Sequence, residues 1–268
     1  MKVHLIRKEF QVTPIVKRYV NVYLIENQNC YLIDCGVSGT ETQIEDYLYS
    51  IHRTMSDIKG IFLTHSHPDH IGAAAKLKER TGAKVYAPKG EIAWIEQIEK
   101  QFEERPIPNF YHLVPESVKV DVPLSDGDRI ELEEGLSLTA ISTAGHSNAS
   151  TSYQVDDVLF TGDAIPVTTD IPIFVDFNES INSLARIETV EGIHTYCPAW
   201  DEMYDRHSIH SVIEKGRTIL FHLQEKAREV LKETGYADAA EILKRSDLER
   251  YAGNPLIIRS IQACVEAK

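Results

Sequence analysis

Two hydrophobic periods alternate along this chain, and their switches mark out the expected elements. Val20-Asn21-Val22-Tyr23-Leu24-Ile25 and Cys30-Tyr31-Leu32-Ile33-Asp34 are rich in β-branched and aromatic residues, with Asn27-Gln28-Asn29 between them as a hairpin turn, so residues 1–35 read as strands. Gly36 and Gly39 end the second of these. From Thr40, a candidate cap, to about residue 53 the period becomes helical, with Ile44, Tyr47, Leu48 and Ile51 on one stripe. A short apolar strand at 60–64 follows, then an alanine-rich helix over 71–80, a strand at 83–87 and a helix over 90–102 carrying Ile92, Trp94, Ile95 and Ile98. Pro106, Pro108 and Pro115 and the lack of periodicity make 105–117 a long loop. Strands are expected at 118–122, 129–133 and 136–142, and a hairpin about Asp156-Asp157 joins 153–155 to 158–160. After a loop over 164–177 come a helix over 178–192, a last strand at 195–197 and three helices ending near 234, 245 and 266, broken at Gly235 and Gly253-Asn254-Pro255. Two β-rich layers with helices around them suggest an α+β fold, a four-layer αββα sandwich over residues 1–204, with residues 205–268 as a helical C-terminal extension packed on it.

One stretch breaks from this patterning. Thr64-His65-Ser66-His67-Pro68-Asp69-His70-Ile71-Gly72 follows the apolar run Gly60-Ile61-Phe62-Leu63 directly. Alternation at a strand end puts His65 and His67 on one side, and the turn at Pro68 brings Asp69 and His70 back over the same space. Neutral imidazole and carboxylate are the ligands that borderline divalent cations such as zinc prefer. A further histidine, in Thr143-Ala144-Gly145-His146-Ser147, and a further aspartate, in Thr161-Gly162-Asp163, also stand just past expected strands, where rigid scaffolds gather ligands.

Composition narrows the classes without choosing among them. With 268 residues, 43% hydrophobic and 26% charged, the chain has the make-up of an ordinary globular protein with a sizeable core. A formal net charge of -13 argues against nucleic-acid backbones and anionic membranes as partners. It does not argue against an anionic substrate, because a bound dication reverses the local field. The first residues show no apolar export signal, and no run approaches a membrane span, so a cytoplasmic enzyme is expected. Cys30, Cys35, Cys197 and Cys264 have no regular spacing and read as buried free thiols.

The ordered set Leu32-Ile33-Asp34-Cys35-Gly36, Thr64 to Gly72, Thr143 to Ser147 and Thr161-Gly162-Asp163 resembles the metallo-β-lactamase superfamily over roughly residues 18–202. The resemblance implies that His65, His67 and His146 hold one metal, that Asp69 and His70 hold a second, and that Asp163 bridges the two. Two ions ~3.5–4 Å apart would then share a hydroxide that attacks a carbonyl or phosphoryl centre. Asp69 is the catalytic candidate, orienting that attack, and zinc is the expected cofactor, as one or two ions, with manganese or iron as alternatives. One position departs from the family pattern. Members usually end a late strand with Gly-His, and here Tyr196-Cys197-Pro198-Ala199-Trp200-Asp201 takes its place. An indole nitrogen only donates and cannot ligate a cation. Either Asp201 replaces the missing ligand, or water or substrate does, or the second site stays empty. His194, His207 and His210 read as surface or packing residues. Phe110, Tyr111, His112, Phe174 and Phe177 are read either as pocket walls or as aromatic plugs.

The activity so implied is metal-dependent hydrolysis of a small ester, thioester, lactone or similar carbonyl substrate. A non-catalytic metal-binding or sensing module and a di-iron redox protein are the alternatives. The C-terminal helices either cap the pocket or form a homodimer contact; the sequence does not separate the two.

Overall fold

The computed structural model describes residues 1–14, 16–168 and 170–267. Ile15, within the expected strands, and Thr169, within the expected loop over 164–177, lie outside the described residues. The chain divides into two compact units, Met1–Ile141 and Ser142–Lys268.

In the first unit, β1 (Lys2–Thr13) pairs antiparallel with β2 (Val16–Glu26), and β2 with β3 (Cys30–Ile33). The chain then crosses through α1 (Thr40–Ser50) to β4 (Ile58–Phe62), which lies parallel to β3. A second crossover, through α2 (Pro68–Ile71) and α3 (Ala74–Thr81), leads to β5 (Lys84–Pro88), again parallel. A third crossover contains α4 (Ile92–Glu96), α5 (Ile98–Glu104) and α6 (Phe110–Leu113) and ends in β6 (Val122–Leu124). The sheet runs β1-β2-β3-β4-β5-β6 in space. Its parallel half has the continuous apolar runs that strands covered on both faces require. Leu24, Leu32, Ile58, Ile61 and Val85 of these strands are fully buried, together with Ile44 and Leu48 from the stripe on α1. Each such side chain contributes about 1.5–3 kcal/mol over leaving it in water. A hairpin of β7 (Arg129–Glu133) and β8 (Leu136–Ser142) closes the unit.

In the second unit, β9 (Thr151–Val155) and β10 (Val158–Gly162) form the expected hairpin, with Asp156 at φ 51° in its turn. The helix α7 (Phe177–Thr189) carries the chain to β11 (Thr195–Pro198), parallel to β10, and β12 (Tyr204–Asp205) returns antiparallel. Asp176 caps α7 by accepting the Glu179 N–H at 2.9 Å. Then come α8 (Ile209–Thr234), α9 (Ala239–Arg245) and α10 (Pro255–Glu266). Helix α8 packs against α7, α9 and α10, burying Ile209, Ile213, Leu220, Leu223 and Val230.

Several elements differ from the sequence expectation for local reasons. The helix expected over 90–102 is two helices, because Gln97 adopts φ -139°, ψ 77° and breaks the ladder. The loop expected over 105–117 holds the single turn α6, which follows Asn109 at φ 57°. The strand expected at 118–122 is displaced to Val122–Leu124. Val118 and Val120 are buried without joining the ladder as a strand, and their backbone N–H groups bond Ile95 O and Glu96 Oε1 instead.

Candidate metal centre

The first unit places its ligands at the exit of β4. His65 is fully buried, His67 is 4% exposed and His70 is fully buried. The rings converge: His65 lies 4.4 Å from His67 and 4.0 Å from His70, centroid to centroid. Pro68 starts α2 at a position where its missing N–H costs nothing, and the turn carries Asp69 and His70 back towards His65. Asp69 Oδ2 lies 3.9 Å from His70 Nε2.

Asp34, at φ 60° just past β3, organises this loop. Its carboxylate is 2% exposed and accepts the Thr64 N–H at 2.8 Å, the Thr64 hydroxyl at 2.8 Å and His70 Nδ1 at 2.8 Å. An isolated buried carboxylate would cost several kcal/mol, and these donors offset that cost. They also fix tautomers. Because the Thr64 hydroxyl donates to Asp34, it accepts from His65 Nδ1, 3.0 Å away. His65 and His70 therefore both carry their proton on Nδ1, and Nε2 is the basic nitrogen of each.

Gly72 ends the turn where nothing larger fits. A Cβ there would stand 2.2 Å from Leu113 O and 2.6 Å from Val37 Cα. The close approach lets Gly72 N–H bond Gly36 O at 2.8 Å, while Cys35 N–H bonds His70 O at 2.8 Å. The turn that carries His67, Asp69 and His70 is thus fastened to the strand exit that carries Asp34.

In the second unit, His146 follows Gly145, whose φ of +122° only glycine adopts readily. A Cβ at Gly145 would also lie 2.4 Å from Ser180 Oγ and 2.5 Å from Ser180 N, at the start of α7. His146 Nδ1 bonds Ile173 O at 2.9 Å, an acceptor, so its basic nitrogen is again Nε2. Nε2 lies 3.2 Å from Asp163 Oδ2, at the exit of β10, and both side chains are over nine-tenths buried. Two electron-pair donors held that close call for a proton or a cation between them. Donor chemistry, burial and tautomers in both units fit a borderline divalent metal.

The end of β11 is built differently. Ala199 N–H bonds Gly162 O at 2.9 Å, which fixes this exit beside the strand that carries Asp163. Trp200 and Asp201 follow, each half-buried, with Asp201 at φ 78°. Asp201 Oδ2 accepts the Tyr204 hydroxyl at 2.5 Å. His194, His207 and His210 are exposed, His210 facing Glu188 at 3.1 Å. Among the aromatics, Phe110, Phe174 and Phe177 are buried, while Tyr111 is 47% exposed and His112 is exposed. All four cysteines are buried free thiols. No helix among the described residues is long and apolar enough to cross a membrane.

His65, His70 and His146, each with Nδ1 committed to an oxygen, present Nε2 as a donor suited to a metal. The chain belongs to the metallo-beta-lactamase superfamily, whose model matches residues 15–208, and it is a metallo-hydrolase of that superfamily. It is 30% identical over 199 residues to the probable metallo-hydrolase YybB of Bacillus subtilis, a match covering 70% of this chain and 84% of that one. It is 29% identical over 147 residues to hydroxyacylglutathione hydrolase 2 of Vibrio vulnificus, covering 54% of this chain and 46% of that protein. A beta-lactamase domain protein from Burkholderia ambifaria shares the fold, with a TM-score of 0.75 at 19% identity over 98% of this chain and 83% of that chain. The expected α+β metallo-β-lactamase fold with a helical C-terminal region is the fold of this chain.

Sequence reasoning missed Asp34 as the organiser of the ligand loop, along with the contacts that hold Ser66. Asp34 carried a signal, a lone aspartate ending an apolar strand ahead of a glycine. Glu91 and Gln101, which reach Ser66, carried none, since each looks like one more polar position on a helix.

Proposed function

We propose that the protein is a zinc-dependent hydrolase of a small acyl substrate, an ester, thioester or lactone. The cation is held by His65, His67, His146 and Asp163, with Asp69 and His70 as ligands for a second ion and Asp201 as its replacement ligand. The observation that carries this reading is the set of fixed tautomers, which present Nε2 of His65, His70 and His146 as a base and would serve no purpose for hydrogen-bonding surface histidines. His65, His67, His146 and Asp163 each offer one donor atom, imidazole nitrogen or carboxylate oxygen, of the kind that zinc takes. When bound, zinc acidifies a water molecule and polarises the carbonyl under attack. The chain's own residues do the rest. Asp69, only partly buried and with Oδ2 3.9 Å from His70 Nε2, orients the attacking water, whose proton passes to the leaving oxygen or sulfur. Burial of His65, His67 and His70 keeps bulk water off the ligand face.

The acyl substrate class is supported by the relatives from Vibrio vulnificus, whose name gives hydrolysis of a hydroxyacyl conjugate of glutathione. A cytoplasmic setting agrees with four free buried thiols. The test is elemental analysis after re-metallation with zinc, manganese or iron, followed by an ester, thioester and lactone panel. About two ions per chain and chelator-sensitive turnover of at least one class are expected. A chain that takes up no cation, or turnover that survives chelation, overturns the reading.

A further inference from the structure

We propose that Glu91 is a positioning residue for the cation site, acting through Ser66. This rests on the reading of His65 and His67 as metal ligands. Ser66 stands between them and is fully buried, so its three polar groups must all be satisfied inside the protein. Two side chains do this. The Ser66 N–H donates to Glu91 Oε2 at 3.1 Å, and the hydroxyl donates to the same oxygen at 2.5 Å. The carbonyl accepts from Gln101 Nε2 at 2.6 Å. Glu91 and Gln101 lie 25 and 35 residues further along the chain, and are 3% and 0% exposed.

A buried serine hydroxyl ordinarily finds a carbonyl of its own turn, at no cost in buried charge. Here the hydroxyl and the N–H both reach a carboxylate 25 residues further along the chain. In extended backbone, alternation directs His65 and His67 to one side and Ser66 to the other. Holding Ser66 at its N–H, hydroxyl and carbonyl therefore fixes the backbone on either side of it, and with it the directions in which both imidazoles leave the chain. Asp34 fixes the tautomer of His65 through Thr64; Glu91 fixes where that ring and the ring of His67 begin. Two ligands held at their origins bind a cation without first having to be ordered.

Zinc affinity measured by competition with a chromogenic chelator, on the full chain, tests this. Glu91→Ala is expected to raise the zinc Kd about 10–100-fold, the usual effect of losing an outer-shell partner. Glu91→Gln keeps an acceptor for the Ser66 N–H and is expected to restore most of that loss. The visible spectrum of the cobalt-loaded protein is expected to change in Glu91→Ala and to return to the wild-type form in Glu91→Gln. Ser66→Ala, which removes one of the three contacts, is expected to weaken binding by a smaller factor and serves if Glu91→Ala does not fold. A folded Glu91→Ala, or in its place Ser66→Ala, with wild-type affinity and spectrum overturns the proposal. So does a Glu91→Gln as weak as Glu91→Ala, since charge and not position would then be at work. Absence of zinc uptake by the wild-type chain removes the metal reading itself, a result separate from either of these.

Discussion

The loop after β4 and the loop after β11 both follow strands, yet they hold their side chains by opposite means. Between Thr64 and Gly72 the side chains or backbone are fixed by partners from remote segments: Asp34 on Thr64 and His70, Glu91 and Gln101 on Ser66, Gly36 on Gly72. After β11, Asp201 stands in a left-handed conformation, half-buried, and accepts the hydroxyl of Tyr204 three residues on. The first loop is over-determined by buried side chains, and the second is tied to β10 through its backbone, Ala199 N–H to Gly162 O. Where geometry must hold to a few tenths of an ångström, remote buried partners supply it.

That contrast can be broken at either end. The largest effect is expected at the over-determined end: His65→Ala should cut cation-dependent hydrolysis by roughly 100-fold or more, beyond the loss typical of an outer partner. Initial rates at saturating zinc measure it, and a wild-type rate there would detach the loop from the chemistry. Next comes Asp34→Asn. An amide oxygen in the place of Oδ2 still accepts from the Thr64 hydroxyl and His70, but its N–H₂ then faces the Thr64 N–H, a donor, so a loss of about 10-fold or more in zinc affinity is expected, with a drop of about 1–3 kcal/mol in unfolding free energy. Zinc titration and urea melts read both; unchanged values in both would mean that the tautomers are set otherwise.

Asp201→Ala should do less. Its hydrogen bond with Tyr204 is local and half-exposed, so stability should move by no more than about 1 kcal/mol, while the second equivalent of cation is retained less well. Two ions per chain in that variant by elemental analysis would remove Asp201 from the ligand set. The smallest effect lies away from the site. Burial pushes the Cys30 thiol from 9.0 up to about 11. The folded state then keeps a proton that the unfolded chain loses above pH 9, so stability should fall as pH rises from about 9 towards 11. Cys30→Ala should flatten that slope in melting temperatures taken between pH 8 and 11, and an unchanged slope would assign it to other groups.

What could be read in advance follows the same division. The sheet strands, the stripe on α1 and the hairpin about Asp156 depend on local period and turn chemistry, and the chain announced them. The histidines and aspartates stand out as ligand candidates by residue type and spacing alone. The outer partners were not legible, since Asp34, Glu91 and Gln101 meet Thr64, His70 and Ser66 only once the chain is folded. The break at Gln97 was hidden for a related reason: Ile95 and Ile98 keep a helical spacing across it, and packing, not period, decides where the helix ends. Gly72 fell inside the helix expected over 71–80, and its real constraint, the carbonyl of Leu113, comes from 41 residues away in the sequence.

The bonds from Asp34 span 30 residues to Thr64 and 36 to His70, across the α1 crossover that makes β3 and β4 parallel. Before that long loop closes, the nascent chain has its histidines but neither their tautomers nor their directions. On the proposed reading, tight cation binding follows this crossover, because the oriented ligands exist only after it. The metal then acts as a lock on a finished fold, adding stability in proportion to the logarithm of its free concentration over Kd, rather than as a template around which the fold forms.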